Sequence, residues 1–428
     1  MHPTRFSSIS RSIGLWEIAA PLATYLLNAV VLSAVVGCGD QRRAADEAIT
    51  AAASWESIAA QAQGQTVRMA MWDGDPLINA YMRDFVAPAL HQNYGIQLQI
   101  VGLHGGALIN KLIVDLEAGR KQGDIDVAWI NGENFYQLRR LDALYGPFTE
   151  RLPNNQFIDW DNPFIAYDFQ EPVAGFECPW GNVQLAIIYD SKRITHPPRT
   201  RAELETWITA HPGRFTFDQS FTGMTFLKCL LIDLAGGPES LQGPFDEAKY
   251  QAAADKLWDQ LRRWRPHLWR AGETFPDNVA QLHQLLANGE VDFSMSNNDG
   301  EVDNKVMQGV LPESARAYTL DTGTIRNSHY LGIPRNSPRK AAAMVLINFL
   351  ISPEAQWRKA TPQTWGDGTV LSEKLLPDEW RGKFQQLTGR TRVAPRAELE
   401  EHALMEPSSQ LMIRLHEDFR REIIEHGR

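Results

Sequence analysis

Apolar and polar positions alternate most clearly from residue 66 onward, where the chain predicts a short buried strand. Val67, Met69 and Met71 alternate with other residues over a run bounded by turns, which is typical of a core strand. Over residues 77–86 the apolar positions instead recur at helical spacing. The pattern therefore predicts a strand, a loop and a helix, and the rest of the chain repeats this unit.

The loop of this first unit carries side chains that suit a ligand. Trp72 and Asp73 follow the strand directly, Asp75 is a good helix N-cap, and Pro76 falls at the first helical position. In open α/β sheets, ligands bind beyond the carboxyl ends of strands and near helix N-termini. Trp72 and Asp73 are therefore candidate ligand contacts. The alternative is that Trp72 only packs and Asp75 only caps the helix.

Strands and helices keep alternating through residue 145. Strands are predicted over 96–101 and 125–130, with a helix over 107–119 between them, and Asn131 and Glu133 open the next helix. Strands that alternate with helices imply βαβ units, and such units build a largely parallel sheet.

The second part of the chain contains further elements of both kinds. Strands are predicted over 179–194, 215–217, 291–296 and 330–333, and helices over 201–210, 250–264, 278–288 and 338–350. Phe221 and Thr222 begin an apolar helix, and Asn297 and Asp299 follow a strand. These two loops are candidate ligand contacts for the same reason as the first.

The N-terminus has the pattern of an export signal. Arg5 and Arg11 precede a mostly apolar stretch, and Val35-Val36-Gly37-Cys38 resembles a bacterial lipobox. We expect residues 1–37 to be a lipoprotein-type signal peptide and Cys38 to carry the lipid. Residues 38–65 would form a tether, with a short helix over 54–63. The alternatives are an ordinary signal peptide or a membrane-anchoring helix. All three interpretations predict an exported protein. With the lipobox, the lipid on Cys38 would hold the protein at the membrane, in the periplasm or at the cell surface.

Composition narrows the classes of function. At 428 residues the chain is long enough for two domains, and 22% charged residues are typical of a globular protein. The net charge of −10 argues against nucleic acid as a partner. Neither a catalytic or nucleotide-binding motif nor a cysteine pair with metal-ligand spacing occurs in the sequence, so we predict no enzyme, cofactor or metal. Cys178 and Cys229 are left either as a disulfide or as two buried thiols.

Several segments together resemble a known family. They are TVRMAMWDGDP at 66–76, AWINGENF at 128–135, PWGNVQLAIIYD at 179–190, ANGEVDFSMSNNDGE at 287–301 and HYLGIPRNSPRKAAAMVLINFLISPEAQ at 329–356. This ordered set is similar to the extracellular solute-binding proteins of ABC importers, which have the type 2 periplasmic-binding fold, and within them to the YnjB-like branch. The resemblance covers about residues 66–356.

The resemblance implies an α/β protein with two lobes, each a mostly parallel sheet flanked by helices. The first lobe would comprise 66–183 plus 331–350, and the second 184–328 plus 351–428. A ligand would bind in the cleft between the lobes of a monomer, and a separate permease and ATPase would take the solute onward. The implied ligand contacts are Trp72, Asp73, Asn131, Glu133 and Trp180 from the first lobe, Phe221, Thr222, Asn297 and Asp299 from the second, and Tyr330 near the return crossover.

The class of solute is open at this point. Indole rings attract cations, so the tryptophans and carboxylates suit an organic cation such as a thiamine-like heterocycle. The same side chains equally suit a sugar. The alternative function is an exported hydrolase, in which Asp73 and Asp75 would act as an acid/base pair.

Overall fold

The structure, a computed structural model, describes residues 53–425. The predicted signal peptide and Cys38 lie outside this part of the chain. Within it, no helix is both long enough and apolar enough to span a bilayer.

The described residues form two sheets from strands of very unequal length. In chain order the strands are β1 Thr66–Met71, β2 Gln97–Gly102, β3 Val127–Ile130, β4 Leu144–Tyr145, β5 Tyr167–Asp168, β6 Glu171–Pro172, β7 Glu177–Gln184, β8 Ala186–Asp190, β9 Phe293–Ser296, β10 Ala315–Tyr318, β11 Thr324–Pro334 and β12 Ala403–Leu404. The strands β5 and β6 make a separate hairpin.

Helices cover both sheets. In chain order they are α1 Trp55–Ala62, α2 Pro76–Ala80, α3 Ala87–Tyr94, α4 Gly105–Glu117, α5 Glu133–Arg140, α6 Pro163–Ala166, α7 Arg201–Ala210, α8 Phe221–Ala235, α9 Glu247–Trp264, α10 Val279–Asn288, α11 Glu301–Met307, α12 Lys340–Leu350, α13 Pro353–Ala360, α14 Asp378–Gln385, α15 Arg396–Glu400 and α16 Ser409–Phe419. A π-helical turn, Tyr81–Val86, joins α2 to α3, and another, Arg420–Glu425, follows α16. Short 3₁₀ turns occur at Thr149–Arg151, Pro153–Phe157, Pro238–Leu241, Arg265–His267 and Trp269–Gly272.

The larger sheet, called here the first sheet, has the strand order β12-β11-β3-β1-β2, and β4 and β7 also pair with β11. The strands β1, β2 and β3 are mutually parallel, as the βαβ pattern predicted. The long strand β11 runs antiparallel to β3, β4 and β7. The carboxyl ends of β1, β2 and β3 therefore meet at one edge.

The second sheet has the order β10-β8-β9, and both of its pairings are antiparallel. The prediction that the sheet of the second lobe is mostly parallel was wrong. The strand β8 follows β7 after a single residue. It lies between β9 and β10, and both of these strands run antiparallel to it.

Two strand predictions in this region were also wrong. The single strand predicted over 179–194 is broken at Leu185 into β7 and β8. Residues 215–217 form no strand, although the rings of Phe215 and Phe217 are fully buried. Their alternation reflects contact with a core that includes Phe226 and Trp264, rather than a place in a sheet.

The segment 353–371 was assigned to the second lobe from sequence, but it contacts elements that flank the first sheet. The hydroxyl of Tyr81 donates to the carbonyl of Ala355 at 3.1 Å, and the Trp365 ring lies against that of Tyr81. Trp365 also contacts α11, because its carbonyl accepts from the side-chain amide of Asn304. The segment therefore bridges the layers of both sheets.

The helix predicted over 54–63 exists as α1 and is capped by Ser54. It packs against α12, and Ile58 and Ala62 are buried. This end of the predicted tether is therefore part of the folded unit.

We expect Ile58→Ala to lower the free energy of unfolding by about 2–5 kcal/mol, because truncating a buried isoleucine removes apolar burial and leaves a cavity. Urea unfolding measures this. The matched control is Ser57→Ala on the exposed face of α1, which should change stability by less than about 0.5 kcal/mol. Equal effects of the two substitutions would show that α1 does not pack against the domain.

Candidate functional site

The loop after β1 lies at the carboxyl edge of the first sheet. Trp72 is partly buried, and Asp73 is exposed, with its carboxylate against Gly102 at the end of β2. Asp75 caps α2 by accepting from the backbone N–H groups of Leu77 at 2.7 Å and Ile78 at 3.3 Å. Trp72 and Asp73 are thus available to a ligand, whereas Asp75 is held by structure.

Asp75 also makes an ion pair with Lys305 of α11. Lys305 lies 3.5 Å from Glu301, which accepts from the hydroxyl of Ser296. Burial alone would raise the pKa of Glu301, but His283, Lys305 and the Ser296 hydroxyl hold it at about 2. This chain of charges joins the N-terminus of α2 beside the first sheet to α11 beside the second.

An aromatic cluster lies on β3, β7 and β11. The rings of Trp129 and Trp180 meet edge to face at 5.1 Å, Trp365 lies 5.2 Å from Trp180, and His329 stacks on Trp365 at 5.8 Å. Trp180 is fully buried. The structure therefore places Trp180 in packing, with no face free for a ligand.

A buried ion pair supports this cluster. The ammonium of Lys359 pairs with Asp367, whose carboxylate also lies 3.2 Å from His329. Burial lowers the pKa of Lys359 to about 8, whereas the charges of Lys359 and His329 outweigh burial and hold the pKa of Asp367 at about 2. Both side chains are fully enclosed, so their role is to fix the Trp365 segment.

Tyr330 was predicted as a ligand contact near the return crossover, but it is fully buried in β11. Its hydroxyl lies 3.1 Å from the backbone carbonyl groups of Ile165 and Tyr167. The structure thus places Tyr330 among packing residues that anchor the junction of α6 and β5.

The two candidate loops beside the second sheet do come together. The side-chain amide of Asn297 donates to the Thr222 hydroxyl at 3.1 Å. Asp299 behaves differently, because its carboxylate pairs with Arg390 and lies 3.5 Å from Arg396. Burial would raise the pKa of Asp299, but these guanidinium groups hold it below the usual range. Asp299 therefore has no free charge to offer a cation.

Sequence reasoning missed a buried charged group beside Asn131 and Glu133. Asp168 accepts from the backbone N–H of Gly132. Lys228, two turns into α8, pairs with Glu406 and is completely buried. The only sequence signal was a lysine within the apolar helix 221–235, which has no reason to be buried without a partner.

Cys178 and Cys229, the cysteines within residues 53–425, are two buried free thiols, so the disulfide alternative between them is not realised. The sulfur of Cys229 accepts from the backbone N–H of Ile325 at 3.3 Å. Burial raises the pKa of Cys229 to about 12 and raises that of Cys178 as well. Both thiols are packing residues.

The two acids behind the hydrolase alternative have different surroundings. The two neighbouring acids that suggested hydrolysis were Asp73 and Asp75, and Asp75 is committed to a helix cap and Lys305. The other candidate side chains come from both parts of the chain. Asn131 and Glu133 follow β3 of the first sheet, whereas Phe221 and Thr222 begin α8 and Asn297 follows β9 of the second sheet.

The chain is similar to known proteins both in sequence and in fold. A family described as bacterial extracellular solute-binding protein matches residues 80–384. Protein YnjB of Escherichia coli (strain K12) is 38% identical over 340 residues, which cover 78% of this chain and 87% of that protein.

Solved structures share the fold at low sequence identity. The Tp0655 (TpPotD) lipoprotein of Treponema pallidum has a TM-score of 0.62 at 15% identity, covering 84% of this chain and 99% of that one. The spermidine/putrescine ABC transporter substrate-binding protein PotD of Streptococcus pneumoniae has a TM-score of 0.58 at 15% identity, covering 84% and 99%. A putative extracellular solute-binding protein of Bordetella parapertussis has a TM-score of 0.56 at 15% identity, covering 84% and 98%. These likenesses confirm the predicted periplasmic-binding fold.

The ionised form of Glu301 is stabilised by folding, so we expect Glu301→Gln to destabilise the protein at pH 7. A carboxyl whose folded pKa is depressed stabilises above its unfolded pKa and loses that contribution as the pH falls through the folded value. The difference in unfolding free energy between wild type and E301Q should therefore shrink as the pH falls from the unfolded value of 4.5 to the folded value of about 2. Urea unfolding across this range measures it, and a difference that stays constant would contradict the ion-pair network.

Proposed function

Because the chain belongs to the family of bacterial extracellular solute-binding proteins, we propose that it captures a small solute between its two sheets and delivers it to the permease of an ABC importer. The permease and the ATPase would be separate chains. The receptor itself would act as a monomer without a cofactor.

One observation supports this proposal: candidate polar side chains follow strands of both sheets, and the Asp75–Lys305 ion pair joins an element beside the first sheet to α11 beside the second. The Asn297–Thr222 pair lies beside the second sheet, and Asn131 and Glu133 follow β3 of the first. A ligand that contacts both sets favours the closed arrangement, since a ligand shifts an equilibrium only by binding one state better.

For the hinge, we propose the predicted lobes with one adjustment. Residues 66–183 and 331–350 would move as the first lobe, together with 353–371, because this segment contacts Tyr81 and the aromatic cluster. The second lobe would be 184–328 and the remaining C-terminal helices. The α16 helix supports this, because Phe419 packs on Phe217 and Phe275 in the second core.

The proposed solute is an organic cation, as the sequence suggested, but with a revised set of contacts. Asp299 and Trp180 are no longer included, because Asp299 pairs with Arg390 and the Trp180 ring packs against other aromatic rings. Trp72, Asp73 and Glu133 remain, and a thiamine-like heterocycle fits an indole with nearby carboxylates. The PotD protein of Streptococcus pneumoniae is named for spermidine and putrescine, which are also organic cations.

The export signal completes the proposal. Cleavage before Cys38 and lipidation of that residue would hold the receptor at the membrane, in the periplasm or at the cell surface, with 38–53 as the tether. The Treponema pallidum protein that shares the fold is a lipoprotein.

We expect a thermal-shift screen of the full chain to find a stabilising solute. The panel holds thiamine and its phosphates, polyamines, sugars, amino acids and metal salts. A ligand at 100 times its dissociation constant stabilises by about 2.7 kcal/mol.

Asp73→Asn should weaken binding of that ligand by about 1–3 kcal/mol if the carboxylate takes a charged hydrogen bond. Turnover of any compound by the wild type would contradict the receptor function and favour the hydrolase.

A further inference from the structure

A small enclosed group of side chains lies where α5 approaches α8. We call it the amine pocket, and it consists of three carboxylates, one lysine and two phenyl rings: Glu133, Asp168, Glu406, Lys228, Phe169 and Phe221. Asp168, Glu406, Lys228 and Phe169 are each at most 3% exposed, and Glu133 and Phe221 are partly buried. Glu133 begins α5 beyond β3 of the first sheet, and Phe221 begins α8 of the second core.

The pocket is short of hydrogen-bond donors. Both oxygens of Glu406 are satisfied, one by Lys228 and the other by the Asn327 amide at 2.8 Å. In contrast, Oε2 of Glu133 and Oδ1 of Asp168 are buried without a partner. Such orphaned acceptors are rare in native proteins and need an explanation, such as a bound molecule.

The pocket is also short of positive charge. Its three carboxylates face one ammonium group. Burial raises the pKa of Glu133, Asp168 and Glu406 above their usual values, and the charge of Lys228 only partly offsets this. Burial, with the charge of Asp168 added to it, raises the pKa of Glu177, which is fully buried with both carboxylate oxygens unpartnered. A second cation would bind where these groups now repel one another.

The surroundings of Lys228 show what an ammonium group meets here. Its Nζ lies 4.3 Å from the centre of the Phe169 ring and 5.4 Å from that of Phe221. Both distances are within the range of cation–π attraction. The Phe169 ring packs against the backbone at position 132, where a Cβ would collide with it and where the φ of 60° also favours glycine.

We propose that the amine pocket binds a protonated primary or secondary amine of the solute, whose N–H groups donate to Glu133 and Asp168 beside Lys228. This inference rests on the proposed function as a solute receptor and narrows its solute class. The orphaned oxygens require donors as well as charge. A quaternary ammonium group has the charge but no N–H, and therefore leaves the two oxygens unsatisfied.

The test compares compounds that separate charge from donor capacity. Thermal unfolding and calorimetric titration of the full chain are measured with putrescine, spermidine and 4-aminobutyrate. The matched compounds are the bis-quaternary permethylated analogue of putrescine and 1,4-butanediol. We expect at least one amine to bind and raise the melting temperature. We expect the quaternary analogue of that amine to bind at least tenfold more weakly and the diol to have no effect.

Two variants tie the result to the pocket. Asp168→Asn and Glu133→Gln should each weaken amine binding at least tenfold, while Glu239→Gln, an exposed carboxylate on another surface, should not change it. Because D168N removes a buried charge without a partner cation, its unliganded melting temperature should equal or exceed that of the wild type. This keeps loss of binding distinct from loss of folding.

Four outcomes would overturn the inference. They are equal binding of the quaternary analogue, failure of every amine to bind, amine binding that is unchanged in D168N and E133Q, and stabilisation by magnesium or calcium ions through the same two carboxylates. If a sugar or another neutral solute binds instead, the receptor function survives and only the amine pocket fails. If no compound of either panel binds, both proposals fail.

Discussion

The antiparallel ladder between β7 and β11 is the constraint on which the rest of the structure depends. Seven of the eight residues from Glu177 to Gln184 pair with β11, and all eight are buried. After one further residue β7 leads into β8 of the second sheet. The two sheets are therefore joined through a hydrogen-bonded pair of strands rather than a flexible linker. Around this ladder, Gln184 donates from its backbone to Asp299, and its side chain donates to the carbonyl of Leu399. Under the proposed capture of a solute, relative motion of the sheets would have to bend or twist this ladder, and would therefore be a hinge rather than free rotation.

An ion pair between distant parts of the chain joins elements beside the two sheets. Asp75 of α2 and Lys305 of α11 are 230 positions apart. Breaking one partner of such a buried pair leaves an uncompensated charge, which costs about 3–5 kcal/mol. The amine pocket differs from this pair because its carboxylates outnumber its resident cation. A receptor has a use for such an imbalance, since the missing charge and donors can arrive with the solute.

What could be predicted from the sequence was local. The bounds of β1, the Asp75 cap and the end of α10 at Gly289 follow from neighbouring residues, and the structure confirms them. The direction of the second sheet could not be predicted in this way, because it depends on which strand lies between which others. The candidate site could likewise be predicted only in part, because it also depends on contacts between distant parts of the chain. Asn297 and Thr222 were predicted as ligand contacts from the sequence, and the structure brings their side chains together. The sequence analysis did not predict that Asp299 pairs with Arg390 or that Glu406 pairs with Lys228. Both contacts depend on a C-terminal region whose place in the fold has no local signal.

The most direct test of the receptor account is a distance across the interface. Spin labels at Val114 on α4 and Met307 on α11, both exposed, report on opposite sides of the hinge, and the native cysteines of the described chain are buried. Pulsed electron–electron double resonance on the doubly labelled chain gives the distribution of distances between the two labels. It is measured without a ligand and with the solute that stabilises the chain most. If the solute is captured between the two lobes, it should shift the distribution to a single, narrower population, while the unliganded chain samples more than one. An identical distribution with and without a bound solute would contradict capture by closure of the two lobes.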